Sequence, residues 1–279
     1  MSIYTLRQAM MNENSGVPTI QTCKNIAHFW NADSLPKFGE WIDPVSGLHI
    51  IQGNNNGSPG FLSKSGNEFT WASGGLGVSH VEGSAISLSV TDDALFVLVG
   101  RPYDNSLQTK QSEENCFIRL GSSISSNGVM RFPSILYLDG SGIIDALGLG
   151  GNLVDDSGAN FAAYGAYVRD FSNFYMQAVA IDRTNNLLKT YMWDMTDNAS
   201  YNPVGGFTEA DISTMSSVSP QLIVDASDAC LSLNGRNKGT GWFKFPNKTL
   251  PQDWKAMSIM MAEAWMNGKY TFPPHWGYK

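Results

Sequence analysis

The stretch from Phe174 to Met195, FYMQAVAIDRTNNLLKTYMWDM, constrains the fold more than any other part of the chain. Two apolar runs flank a polar turn at Asp182, Arg183, Thr184, Asn185 and Asn186. Before the turn, Met176, Ala178 and Ala180 alternate with Gln177, Val179 and Ile181. After it, Leu188, Thr190 and Met192 alternate with Leu187, Lys189, Tyr191 and Trp193. Period two is the period of a sheet, because successive side chains of a strand point to opposite faces. The segment therefore reads as a β-hairpin, each strand with one face to bury and one carrying some polar groups, and the chain as all-β.

Composition agrees. Charged residues are only 15% of the chain and 28 glycines are spread along it with many Ser and Asn, which suits short strands joined by many turns. Hydrophobic residues at 42% and aromatics at 11% give enough apolar surface for a core, and 279 residues fit one large sandwich. The net charge of −7, with Lys and Arg dispersed, argues against nucleic-acid binding. No apolar run reaches the roughly 18 residues of a membrane span, and MSIYTLRQAMMNENSG lacks the basic start and apolar core of a secretory signal. Cys23, Cys116 and Cys230 are odd in number and fall in no CxxC spacing, so neither a disulfide framework nor a zinc site is expected, and synthesis in a reducing cytoplasm is the simplest reading.

Further strands are expected at Ala85 to Val90, Ala94 to Arg101, Cys116 to Leu120, Met130 to Leu138, Ser219 to Asp225 and Gly241 to Phe245, with turns at Asn127-Gly128, Asp139-Gly140 and Asn234-Gly235. Two Gly-rich segments, Asn54 to Gly83 and Ile143 to Gly158, read as long loops. One helix is expected over Pro251 to Asn267, with Pro near its start, an acid in its first turn and Gly268 as its stop. Trp254, Met257, Met261, Ala264 and Trp265 share one face of it and should pack on the sandwich. The chain thus divides into an arm (1–24), a sandwich including the closing helix (25–268) and a tail (269–279). The apolar residues Ile3, Tyr4, Leu6, Met10 and Met11 of the arm, and Phe272, Trp276 and Tyr278 of the tail, are candidates for assembly contacts with a neighbouring subunit.

Four stretches, taken in order, carry a resemblance. They are the opening Trp30, Asp33, Trp41, Asp43 and Gly47; the central hairpin; the strands around QLIVDAS and GWFKF; and the closing LPQDWKAMSIMMAEAWMNG. Together they resemble a concanavalin A-like (laminin G-like) jelly-roll sandwich with a short C-terminal helix. The ending LPxDW, AEAWMNGK and PPxW also resembles the C-terminus of structural proteins of tailed phages and prophages. The resemblance implies a non-enzymatic virion protein made in the host cytoplasm, serving in capsid decoration (cement) or in the tail or baseplate. It also implies other virion proteins as partners, a homo-oligomeric state and a host-surface glycan as a candidate ligand. A carbohydrate-binding module is the alternative, and a polysaccharide hydrolase a more distant one.

No catalytic residue is assigned. The E-x-D-x-x-E strand of glycosidases on this architecture, which sets two carboxylates about 5 to 5.5 Å apart, is absent. Glu209-Ala210-Asp211 ends at Thr214 in a Gly/Ser context and reads as a turn or helix cap, while Asp92-Asp93 and Asp155-Asp156 are adjacent pairs that a strand would point apart. There is no G-x-S-x-G, and His28, His49, His80 and His275 are isolated. No cofactor is called for. Asp155, Asp156, Ser157 and Asn160, or Asp225 and Asp228, are oxygen-bearing groups of the type that could hold calcium. Sugars need a flat aromatic surface with carboxylates or amides beside it. Trp71, and Trp193 with Asp194, Asp197 and Asn198, are the candidates.

Overall fold

The computed structural model describes residues 25–31, 40–42, 49–51, 54–55, 58–59, 61–65, 68–72, 87–101, 116–120, 129–138, 144–168, 172–197, 199–200, 208–219, 231–233 and 236–268. Strands follow in chain order at Ile26–Asn31 (β1), Glu40–Ile42 (β2), His49–Ile51 (β3), Asn54–Asn55 (β4), Ser58–Pro59 (β5), Phe61–Ser65 (β6), Glu68–Ala72 (β7), Asp93–Arg101 (β8) and Cys116–Leu120 (β9). They continue at Val129–Leu138 (β10), Ile144–Val154 (β11), Asn160–Val168 (β12), Tyr175–Asp182 (β13), Leu187–Asp194 (β14), Ala199–Ser200 (β15), Glu209–Asp211 (β16), Leu231–Leu233 (β17) and Arg236–Phe245 (β18). A helix, α1, spans Trp254–Asn267.

The larger sheet runs β15-β14-β13-β8-β18-β7-β6, with β1 also on β18 and β16 also on β14; the smaller runs β12-β11-β10-β9-β17. Every pairing between these strands is antiparallel. The sheets lie face to face: a Cβ added to Gly151 on β11 would sit 2.6 Å from a Val179 methyl on β13. Only a residue without a side chain fits that approach. The architecture is the all-β jelly-roll sandwich with a short C-terminal helix.

The expected hairpin forms, with Asp182 opposite Leu187 and Tyr175 opposite Asp194. Asn186 takes the left-handed conformation (φ 54°) at the turn, which Asn tolerates better than most residues. The two strands differ in burial. β14 alternates half-buried and buried residues, whereas β13 is buried on both faces. Its even positions lie against α1, and Val179 lies against the smaller sheet.

Helix α1 covers the outer face of the larger sheet, placing Trp254, Met257, Met261 and Trp265 on Leu95, Val97, Val99, Met176, Ala178, Phe243 and Phe245. Each large side chain buried there contributes about 1.5 to 3 kcal/mol. Gly239 on β18 allows the closest approach, because a Cβ there would overlap the Trp265 indole. The helix ends as expected, at Gly268 in the left-handed region (φ 67°). Its start differs: Asp253 occupies the N-cap position without a side-chain capping hydrogen bond, and no acid lies in the first turn.

Four other expectations change. Ile143 to Gly158, expected as a loop, contains β11, because tertiary pairing overrides the low strand propensity of glycine. The Asn54 to Gly83 segment likewise carries β4 to β7. Glu209 to Asp211, expected as a turn or cap, is a short strand on β14. Of Ala85 to Val90, the described part makes a single bridge, Leu88 to Val218, and then turns. The arm, the tail, and the strand expected at Ser219 to Asp225 beyond Ser219 lie outside the described residues.

Candidate functional site

Acids in a sandwich core either perform chemistry or hold backbone, and here their hydrogen bonds decide. At the turn end of the hairpin, Asp93 is fully buried; its Oδ1 accepts from the Arg183 amide at 2.7 Å and its Oδ2 from the Leu250 amide at 2.9 Å. Burial raises its carboxyl above the usual range, with the Arg183 and Leu250 hydrogen bonds opposing and Asp182 adding repulsion. Asp155, also fully buried, accepts from the Ser157 amide and hydroxyl, the Ala159 amide and the Ser216 amide. Burial alone would raise it, but those bonds hold it below the usual range. Asp182 is lowered in the same way by Asn185 and by Lys189, whose Nζ lies 2.7 Å away.

Arg183 crosses this end, donating to the carbonyls of Met215 at 2.7 Å and Ser216 at 2.8 Å. It is 4% exposed, and its Nε has no hydrogen-bond partner among the described residues. Asp156 binds the Ser217 hydroxyl and the Ser219 amide, and Asp92 binds the Ser89 amide with Lys244 Nζ 3.3 Å away. Asp92 and Asp93 therefore face different partners, as adjacent residues at a strand start should. Each of these carboxylates fastens backbone. Asp155 and Asp156, named as calcium candidates, hold the 212–219 loop, and no cluster of three metal-ligating residues occurs among the described residues.

The half-exposed aromatic surface lies on the other side, between β14 and the start of α1. Tyr191 and Trp193, two residues apart on one face of β14, have ring centroids 6.2 Å apart at 48°. Tyr191 meets Trp254 edge-on at 6.2 Å, and the exposed Lys255 sets its ammonium 5.0 Å from the Tyr191 ring centroid and 5.6 Å from that of Trp254. Burial pushes the Tyr191 phenol above its usual range. Met195, just past the end of β14, continues the same spacing, and all three side chains are partly buried against the helix-side core.

Of the residues chosen from sequence, Trp193 is on this shelf and Asp197, exposed, is at its end. Asp194 is fully buried: Oδ1 accepts from the Thr196 and Asp197 amides and Oδ2 from Asn173 Nδ2 at 2.9 Å. It shapes the turn after β14 rather than facing a ligand, because adjacent strand residues point to opposite faces. Trp71 is on β7, away from β14 in the sheet order, and Asn198 lies outside the described residues. Tyr191 and Lys255 were missed. The i, i+2 spacing of Tyr191 and Trp193 was the available signal, whereas the approach of Lys255 depends on where the helix docks.

No family model and no curated protein sequence matches this chain. Among solved structures, it is similar to the botulinum neurotoxin serotype G binding domain (TM-score 0.44, 12% identity, 86% of this chain and 51% of that one). It thus spans about half the length of that domain. It is also similar to the Ruminococcus gnavus IT-sialidase CBM40 bound to α2,3 sialyllactose (TM-score 0.33, 13% identity, 61% and 82%) and to the Trypanosoma rangeli sialidase in complex with sialic acid (TM-score 0.37, 12% identity, 90% and 34%). At these scores the likenesses assign no ligand and no site to this chain.

Proposed function

We propose that this chain is a non-catalytic β-sandwich recognition module that binds a glycan on the shelf formed by Tyr191, Trp193 and Met195. The observation that carries the reading is the pair of partly buried rings side by side on β14, with the Lys255 ammonium over Tyr191. Flat apolar rings suit the C–H face of a sugar, and polar groups at the rim suit its hydroxyls. The buried acids supply no pair for hydrolysis, since each one described above is engaged with backbone or a lysine. Titration calorimetry against hits from a glycan array tests the reading. Trp193→Ala should weaken binding by about ten- to a hundred-fold, the 1.4 to 3 kcal/mol of one stacked ring. Unchanged binding by that variant, or sustained release of reducing ends by the wild type, would refute it.

A second reading, compatible with the first, is a virion role in capsid decoration or in the tail or baseplate, with assembly through the terminal residues named above. It rests on the sequence resemblance of LPQDWKAMSIMMAEAWMNG and the tail that follows it. Deleting residues 1–20 should then leave the sandwich folded and reduce oligomerisation or attachment to particles. Unchanged stoichiometry in the truncated protein would count against the arm as an assembly element.

A further inference from the structure

The hairpin end opposite the turn gathers positive charge beside the aromatic shelf. Arg101 closes β8, and its register partner on β18 is position 236. The register of β18 on β8 then slips between Asn237 and Gly239, a bulge that leaves Lys238 as the extra residue. Lys238 is only 7% exposed, yet its ammonium lies 4.9 Å from the ring centroid of Phe174, and the half-exposed Arg101 guanidinium lies 5.1 Å from the same centroid. Both cations also have further interactions within the chain.

The spot is continuous with the shelf. Phe174 belongs to the same helix-side cluster that Trp193 and Met195 pack against, and its carbonyl accepts the Met195 amide at 2.8 Å. In the order β14-β13-β8-β18, Arg101 is two strands from Trp193 and Lys238 three. At the usual spacing this is roughly 10 Å and 14 Å, the reach of a short oligosaccharide.

From this placement we infer that the ligand is an acidic glycan: one sugar stacks on Trp193 while the carboxylate of a neighbouring residue is received by Arg101, with Lys238 reinforcing the field. The inference rests on the glycan reading and adds the charge class of the ligand. A guanidinium suits this task because its planar array of donors matches a carboxylate.

The probes are sialylated and uronic-acid oligosaccharides, each paired with its methyl ester, titrated into the full chain at low and high salt. The free acids should bind about ten- to a hundred-fold more tightly than the esters, the contribution of one charge-assisted hydrogen bond, and added salt should erode the difference. Arg101→Gln should remove the preference while keeping ester binding; Trp193→Ala should weaken both. Equal binding of acid and ester by the wild type would overturn the charge assignment and leave the glycan reading intact. A preference that survives Arg101→Gln would do the same. No binding of any probe, acidic or neutral, would overturn both. The acid and ester comparison uses only the wild type, so the inference stays testable if Arg101→Gln fails to fold.

Discussion

The two ends of the central hairpin use charge in opposite ways. At the turn end, Asp93, Asp155, Asp182 and Arg183 are buried, and the hydrogen bonds of Asp93, Asp155 and Arg183 include bonds to backbone on segments far apart in sequence. At the open end, Arg101 and Lys238 lie on the ring of Phe174, beside half-exposed aromatics. The same residue types thus serve as fasteners at one end and as a surface at the other. What separates the roles is the partner: a buried charge satisfied by fixed amides and carbonyls rigidifies the fold, whereas a cation over an aromatic face is held by the ring.

The largest expected effect tests the fastening end. Arg183→Met should lower stability by about 3 to 5 kcal/mol in denaturant titrations, because it removes a buried guanidinium that holds the Met215 and Ser216 carbonyls near Asp93 and Asp155. Glycan binding by the fraction that still folds should be unchanged, and a loss of affinity would mean the two ends are coupled. Trp265→Ala, under the helix, should cost a similar 3 to 5 kcal/mol; a variant that melts like the parent would show that the helix does not close the core.

Acid should act on the turn end alone. Asp92, Asp155 and Asp182 are held below the usual range, so each supports the fold above about pH 4 and loses that support as pH falls through its lowered value. Asp93 has the opposite sign: its raised value means that ionisation opposes folding at neutral pH, and this cost disappears as pH falls through that value. Denaturation midpoints should hold or rise slightly on acidification from pH 7, then drop below about pH 4. A midpoint that stays constant down to pH 3 would contradict the fastening role. The smallest effect belongs to the rim: Asp197→Ala, at an exposed position, should change stability by no more than about 0.5 kcal/mol in the same titrations.

How much of this was legible in sequence depended on distance along the chain. The hairpin and the helix stop at Gly268 were readable because period-two patterning, the D-R-T-N-N turn and a terminal glycine are local signals. The second buried face of β13 was not. Gln177 looks like a residue for solvent, yet it is buried on the same face of β13 as Val179, which lies against the smaller sheet. β11 was misread because Gly151 serves close packing on Val179 rather than a loop. At the site, Trp193 announced itself as an aromatic residue at a strand end. Asp194 carried no local sign that Asn173 and its own turn would claim it, and Arg101 and Lys238 come together only through the pairing of β8 with β18.

That pairing also sets an order in time. β8 is central in the folded sheet, but its partner β18 is made much later, followed by the helix that covers the outer face. While the chain is being synthesised, the edge and apolar face of β8 and β13 stay uncovered until residues beyond Trp265 have left the ribosome. A nascent chain halted after β17 should therefore display an adhesive strand edge and recruit chaperones, and the last residues of the sandwich act as its release from that hazard.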